Sequence, residues 1–126
     1  MAKLIAIGIG GFVGAIFRYL ISGYVHDYYR GGFPLGTFAV NLLGCFLLGL
    51  TMHLVESRGP FGPQMRAAIT IGLLGAFSTY STFAYETFEM LREQQYGQVL
   101  LNTGGQVMLG LAAVWLGIVV ARFIAA

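Results

Sequence analysis

Charged and polar positions divide this chain into four long apolar stretches. An apolar segment that begins near residue 4 is interrupted only by Arg18. Beyond it, the charged side chains leave three long uncharged runs, at 31–55, 67–85 and 94–121. A helix that crosses a bilayer core needs about 18–20 predominantly apolar residues. The pattern therefore predicts four transmembrane helices, over the approximate spans 4–25, 36–55, 66–90 and 97–123.

The segments between these spans have the composition of turns. Residues 26–36, 56–64 and 92–97 contain all three prolines and half of the charged side chains. Because these connections are short, consecutive helices are expected to run antiparallel as neighbours. We expect an all-α integral membrane protein, in which residues 1–126 form a single four-helix transmembrane domain without linkers.

Composition narrows the class of protein further. The chain is 57% hydrophobic and 10% charged, whereas an ordinary soluble domain carries about 25% charged residues. A formal net charge of +2 without a basic stripe gives no support to nucleic-acid binding. The sequence has no phosphate-binding G-x-x-x-x-G-K-[ST] loop and no nucleophile with a base, so an enzyme or ATP-driven pump is not expected.

The basic residues barely specify the direction of insertion. With a cytoplasmic N-terminus, the inner ends hold four basic residues and the outer ends two or three: Lys3, Arg58, Arg66 and Arg122 inside, and Arg30, Arg92 and Arg18 outside. Such a weak bias favours a mixture of both orientations. Four short helices enclose little interior, and Gly10 and Gly14 form a G-x-x-x-G pair for close helix packing. An oligomer is therefore expected.

Polar side chains inside the spans are candidates for chemistry. Asn41 must face protein or a polar cavity, and an interhelical hydrogen bond and a functional role stay equally open. Arg18 either extends to the membrane interface or attracts anions into a vestibule. Glu86 and Glu89, near the end of the third span, are expected to lie exposed among the lipid headgroups.

The stretch GLLGAFSTYSTFAYE at 72–86 is unusually rich in hydroxyls and aromatic rings. On a helix, Phe77, Tyr80 and Phe83 would form an aromatic stripe with hydroxyl residues on the adjacent faces. Ring edges and hydroxyl donors together can solvate an anion without a full positive charge. Ser and Thr density beside two glycines also predicts a local helix break, whose freed carbonyls would suit a cation. The alternative is a continuous helix whose hydroxyls bond back to carbonyls one turn earlier.

Three segments resemble the signature segments of the Fluc, or CrcB-type, fluoride channel family. They are GGFVGAIFRY at 10–19, GTFAVNLLGCFLLG at 36–49 and GLLGAFSTYSTFAYE at 72–86, in the expected order. The resemblance implies an antiparallel, dual-topology homodimer in the microbial cell membrane, with two pores that let cytoplasmic fluoride leave passively and so reduce its toxicity. The fourth span matches only by its place and apolarity.

The resemblance also implies roles for individual residues. Asn41, Tyr80 and Phe83 would line the fluoride pore beside the hydroxyl residues Ser81 and Thr82. The main-chain carbonyls of Gly75 and Ser78 would hold a structural sodium ion at the dimer centre. Arg18 would act in the vestibule or in structure.

One departure from the family pattern concerns the pore. The usual T-T-F-S-T-F run of the third span reads S-T-Y-S-T-F here, so Tyr80 adds a hydroxyl at or near the anion path.

Two other classes of membrane protein stay open as alternatives to a channel. A small multidrug-type proton antiporter would want a carboxylate deep within a span, and a non-conducting structural subunit would move no ion.

Overall fold

The computed structural model describes residues 1–59 and 61–126, and within them the chain is helical without strands. The first two spans are α1 (Ala2–Tyr28) and α2 (Leu35–Arg58), and the last is α6 (Tyr96–Ala125). The third is divided into α3 (Pro63–Ala67), a π-helical segment (Ala68–Leu73), α4 (Leu74–Phe77) and α5 (Tyr80–Arg92).

Four stretches of the described residues are long and apolar enough to cross a membrane: Ala2–Tyr28, Leu35–Ser57, Pro63–Arg92 and Tyr96–Ala125. The predicted all-α fold of four spans is confirmed. The helices run beyond the predicted limits, because hydropathy marks only the part of a helix that lies within hydrocarbon. At 1.5 Å per residue, the 30 residues of α6 exceed a core about 30 Å thick.

Proline and glycine set the ends of the helices. Pro34 precedes α2, and Gly59 ends it in a left-handed conformation with φ of 56°, which glycine adopts without steric cost. Pro63 occupies the first turn of α3, where its missing N–H costs no helical hydrogen bond. These positions explain two of the three connections, and the third turns at Gln94, whose φ is 59°.

The first half of the third span packs closely on α1. Gly10 and Gly14 are buried, and a Cβ at either position would overlap the backbone carbonyl of Ala68 or Leu73. The G-x-x-x-G pair therefore joins two spans of the same chain. The π-helical segment was not predicted, since its Ala, Ile and Thr residues fit an ordinary helix equally well.

The predicted break in the third span is confirmed at Ser78 and Thr79. Their backbones are extended, with φ and ψ of −83° and 156° at Ser78 and −145° and 117° at Thr79. Phe77 consequently lies in α4, before the break, and is only 4% exposed. The aromatic stripe expected on a continuous helix thus loses Phe77 and retains Tyr80 and Phe83 in α5.

Candidate functional site

Asn41 of α2 holds the break in place with its side-chain amide. Its Oδ1 accepts a hydrogen bond from Thr79 N at 2.8 Å. Its Nδ2 donates to the Thr79 carbonyl at 3.0 Å. One carboxamide therefore satisfies both backbone groups of the extended residue, which would be costly to leave unpaired in a membrane. Asn41 thus forms interhelical hydrogen bonds, and its functional role stays a prediction.

Thr79 also begins the second half of the span. Its Oγ1 accepts from Thr82 N at 3.4 Å and donates to Thr82 Oγ1 at 3.0 Å. Ser81 is exposed, and its hydroxyl lies 3.5 Å from Thr79 Oγ1. Threonine is a preferred N-terminal cap because its oxygen meets an N–H that the helix itself cannot satisfy. Three neighbouring hydroxyls are therefore gathered at the start of α5.

The same contacts change the surroundings of two main-chain carbonyls. In a continuous α-helix, Thr79 N would donate to Gly75 O, and Thr82 N would donate to Ser78 O. Here those donors bond to Asn41 Oδ1 and Thr79 Oγ1 instead. Gly75 and Ser78 thus lose their helical donors, and they are the residues whose carbonyls the family resemblance implies as sodium ligands.

Clusters of the usual metal-binding side chains are absent from the part of the chain that the structure describes. No group of three or more His, Cys, Asp or Glu residues within it could hold a metal ion. A hard cation such as sodium prefers oxygen ligands and accepts backbone carbonyls. The carbonyls at the break are ligands of the kind that such an ion accepts.

A cavity of about 280 Å³ lies beside the break, between α2, α5 and α6. The Tyr80 and Phe83 rings lie on it with their centroids 5.8 Å apart. Its lining combines aromatic, hydroxyl, amide and thiol groups: Asn41, Cys45, Ser78, Thr79, Tyr80, Phe83, Gln106 and Val107. The structure therefore brings together four residues singled out from sequence, namely Asn41, Ser78, Tyr80 and Phe83.

Arg18 and Thr82 line a different cavity, of about 250 Å³, on the α1 side of the break. Within residues 1–59 and 61–126, the Arg18 guanidinium has neither a hydrogen bond nor an ion pair. A half-buried cation without an acidic partner creates a positive potential in its cavity. Thr79 borders both cavities, so the two are adjacent across the break.

The expectation that Glu86 lies exposed among the headgroups is wrong. Its Oε1 accepts a hydrogen bond of 2.7 Å from Thr37 Oγ1, and its Oε2 is buried without a partner among the described residues. The break redirects α5, and this carboxylate then packs against α2. Glu89 does lie near the surface, in an ion pair of 2.8 Å with Arg92.

Glu86 also lies where two open depressions meet. One continues from the Arg18 cavity past Tyr19, Ser22 and His26. The other reaches the loop that joins α1 to α2, and Glu89 and Glu93 line it as well. These depressions extend from that loop to the Arg18 cavity, and Glu86 is the carboxylate that both of them share.

Sequence reasoning missed the polar residues of α6. Gln106 Oε1 accepts from Asn41 Nδ2 at 2.7 Å, and Gln106 Nε2 donates to Asn102 Oδ1 at 2.9 Å. Asn102, which is 0% exposed, donates in turn to Thr87 Oγ1 at 2.9 Å. Two carboxamides spaced i, i+4 in an apolar span share one helix face, and that spacing was the available signal.

Comparison with known proteins places these features in a family. The family described as CrcB-like protein, Camphor Resistance (CrcB), matches residues 5–118. A Methanosarcina acetivorans protein named fluoride-specific ion channel FluC 1 is 46% identical over 126 residues, covering 100% of this chain and 95% of that protein. A Geotalea daltonii protein named fluoride-specific ion channel FluC is 44% identical over 124 residues, covering 98% and 100% respectively. This four-span membrane chain therefore belongs to the CrcB-like family.

Proposed function

We propose that this chain forms a passive, fluoride-selective channel that lets cytoplasmic fluoride leave the cell and so lowers its toxicity. The observation that carries the proposal is the helix break, where amide and hydroxyl groups meet an aromatic pair beside a cavity within the membrane. The relatives named as fluoride-specific ion channels support the choice of ion. This chain is accordingly assigned to transport and not to an enzyme.

The chemistry of the lining suits a small anion. The ring edges of Tyr80 and Phe83 carry partial positive charge, and amide or hydroxyl hydrogens can donate to fluoride. A cation would need oxygen lone pairs arranged around it instead. Asn41, Tyr80, Phe83, Ser81 and Thr82 together would line the path along which fluoride loses its water.

Arg18 would attract the anion before the anion reaches the residues that line the cavity beside the break. Its unpaired guanidinium lies in the adjacent cavity, together with Thr82. A positive potential there raises the local concentration of anions and speeds their entry. We therefore assign Arg18 to the vestibule of the pore.

A second copy of the chain would complete the pore. Tyr80 is 80% exposed in one protomer, and the cavity that it lines is open on one side. Burying this face against a second copy would enclose the path on all sides. We propose an antiparallel, dual-topology homodimer with two pores, in which each protomer is one four-helix domain.

A sodium ion would stabilise the centre of that dimer. The carbonyls of Gly75 and Ser78 have lost their helical donors, as described above. A two-fold axis near them would bring four such oxygens together, since a symmetric interface contacts itself. The ion would supply positive charge that holds the two breaks in register.

The test is fluoride efflux from liposomes that contain only this protein, measured with a fluoride electrode. Chloride-loaded liposomes and an Asn41→Asp variant serve as comparisons. We expect fast fluoride release, little chloride release, and a fall of at least about tenfold in the variant, which lacks two donors and adds negative charge. Folded dimers that release no fluoride would reject the channel and favour a structural subunit or an antiporter.

A further inference from the structure

An apolar groove of about 400 Å³, the α1 groove, lies between α1 and the first half of the third span. Its bulky lining residues are Ile9 and Val13 of α1 and Met65, Ile69 and Leu73 of the third span. The side chains of Ile9 and Met65 are each more than half exposed. The groove therefore opens towards the surroundings of the protein and not into its interior.

The α1 groove faces away from the proposed vestibule. Ala6, Ile9 and Val13 recur at spacings of three and four residues, so they share one face of α1. Arg18 follows Ile9 by nine residues, which turns it by about 180° from that face at 3.6 residues per turn. Tyr80, on the face assigned to a second copy, belongs to the other half of the third span. Lipid is therefore expected to cover the groove.

Hydrocarbon suits the walls of the α1 groove. Both walls belong to stretches that are apolar enough to cross a membrane, Ala2–Tyr28 and Pro63–Arg92. A concave surface within the bilayer has to be filled, because an empty space deprives its lining of dispersion contacts. An acyl chain offers those contacts without bringing a polar group into the groove.

Two basic side chains lie beside the α1 groove, near the starts of its two helices. Lys3 precedes Ala6 by three residues, and Arg66 precedes Ile69 by three, so each is a surface neighbour of a lining residue. Both are exposed. Among the residues that the structure describes, neither forms an ion pair or a side-chain hydrogen bond. The groove and its two cations thus complement a ligand that is hydrocarbon in one part and anionic in another.

We propose that the α1 groove binds an anionic phospholipid, with one acyl chain along the groove and the phosphate held by Lys3 and Arg66. Basic residues at the membrane surface attract anionic lipids, and the apolar walls hold the chain. The chain would cover the close contact of Gly10 with Ala68, so a bound lipid would stabilise the first half of the third span. This inference goes beyond the proposed channel function, since the site requires no conduction.

The test is a thermal-unfolding titration of the purified protein in detergent. It compares dioleoylphosphatidylglycerol, which is anionic, with dioleoylphosphatidylcholine, which has the same chains and no net charge. Glycerol phosphate, which has no chains, is the third ligand. Apparent affinities follow from the rise in unfolding temperature with ligand concentration. We expect phosphatidylglycerol to bind about 30-fold more tightly than phosphatidylcholine, or about fivefold for each basic residue. Glycerol phosphate should leave the unfolding temperature unchanged.

The combined variant Lys3→Gln and Arg66→Gln removes both charges and leaves the walls of the α1 groove intact. Its affinity for phosphatidylglycerol should fall about 30-fold, to that for phosphatidylcholine. Arg122→Gln is the matched control, because Arg122 is an exposed basic residue in the last turn of α6 and outside the groove. This control should keep the preference for the anionic lipid.

Ala6→Phe places an aromatic ring in the α1 groove. It should weaken the binding of both lipids at least about tenfold, because the ring takes the place of the acyl chain. Leu4→Phe is its control, since two residues along α1 turn the side chain by about 200° from Ala6. Leu4 is 68% exposed, so this control should bind both lipids like the unmodified protein.

Three results would overturn the inference. The first is equal affinity for the two lipids in the unmodified protein or a preference that survives in the Lys3 and Arg66 variant. The second is stabilisation by glycerol phosphate as strong as that by phosphatidylglycerol. The third is an equal loss of binding in Ala6→Phe and Leu4→Phe.

Size-exclusion chromatography checks that each variant is folded before the affinities are compared. If Ala6→Phe does not fold, the Lys3 and Arg66 variant still decides the result, because both residues are exposed and their replacement leaves the packing intact. The titration measures no transport. A protein that binds phosphatidylglycerol as expected but releases no fluoride would therefore reject the channel function and retain the lipid site.

Discussion

The two halves of the broken third span are built by different means. The first half, 63–77, has four buried residues, Ala67, Gly72, Leu74 and Phe77, and packs on α1 by close backbone contact. The second half, 80–92, has one, Met90. Its side chains form two interhelical hydrogen bonds, from Thr37 of α2 to Glu86 and from Asn102 of α6 to Thr87.

The first half of the third span thus provides rigid packing, and the second half provides the polar groups. Close apolar packing tolerates little change in volume, so the first half fixes where the break lies. The second half places polar groups beside cavities, where the proposed ion path lies. A mutation in the first half should therefore change mainly stability, and one in the second half mainly transport.

The largest expected effect is that of Gly14→Ala on stability. The added methyl group would overlap the Leu73 backbone carbonyl, which should cost about 1–3 kcal/mol. Gly8→Ala on the same helix meets open space and should be neutral or slightly stabilising. Thermal inactivation of the purified protein in detergent measures both. Equal stability of the two variants would contradict the close packing of α1.

Thr79→Val should combine a moderate loss of stability with a loss of transport. It removes the cap of α5 and leaves Thr82 N without its partner, at a cost of about 1 kcal/mol. Its control in the first half is Thr70→Val, since the Thr70 hydroxyl bonds to Arg66 O within the same span. Efflux and thermal inactivation are compared. Loss of flux in Thr70→Val but not in Thr79→Val would contradict the division of the third span into a half for stability and a half for transport.

Glu86→Gln should raise fluoride flux. The variant retains an oxygen for Thr37 and removes a negative charge from the route to Arg18. Because a carboxylate repels an entering anion, we expect a rise of about three- to tenfold at neutral pH. Glu89→Gln, nearer the surface, should change flux less because solvent screens its charge. An unchanged rate in Glu86→Gln would place the ion path elsewhere.

Tyr80→Phe should have the smallest effect. It removes the hydroxyl by which this chain departs from the family pattern while keeping the ring beside Phe83. We expect conduction to survive and the rate or the fluoride-to-chloride ratio to shift about two- to fivefold. Tyr96→Phe, at the start of α6, is the control. Identical flux and selectivity in Tyr80→Phe would show that the hydroxyl lies outside the anion path.

Much of the fold was predictable because hydrophobicity acts locally. The four spans followed from apolar runs between charged turns, and the break followed from Ser and Thr density beside glycines. The place of Asn41 in the interior followed from the cost of an amide in hydrocarbon. Each of these inferences needs only a residue and its neighbours in the sequence.

The partners of polar residues were not predictable, because they lie on other spans. Thr37 and Glu86 are 49 positions apart, and Asn41 and Gln106 are 65 apart. The exposure of Glu86 was predicted wrongly because, after the break, it depends on how α5 packs against α2. The spacing of Asn102 and Gln106 marked a shared face without showing what that face meets.

The sequence by itself determined a membrane protein of four helices, its break and the family to which it belongs. Apolar length, turn residues and local helix propensity carry that information along the chain. Only the tertiary structure decided that Asn41 uses its whole amide on Thr79 and Gln106. Hydrogen bonds between spans depend on helix position and rotation, which short-range pattern does not encode.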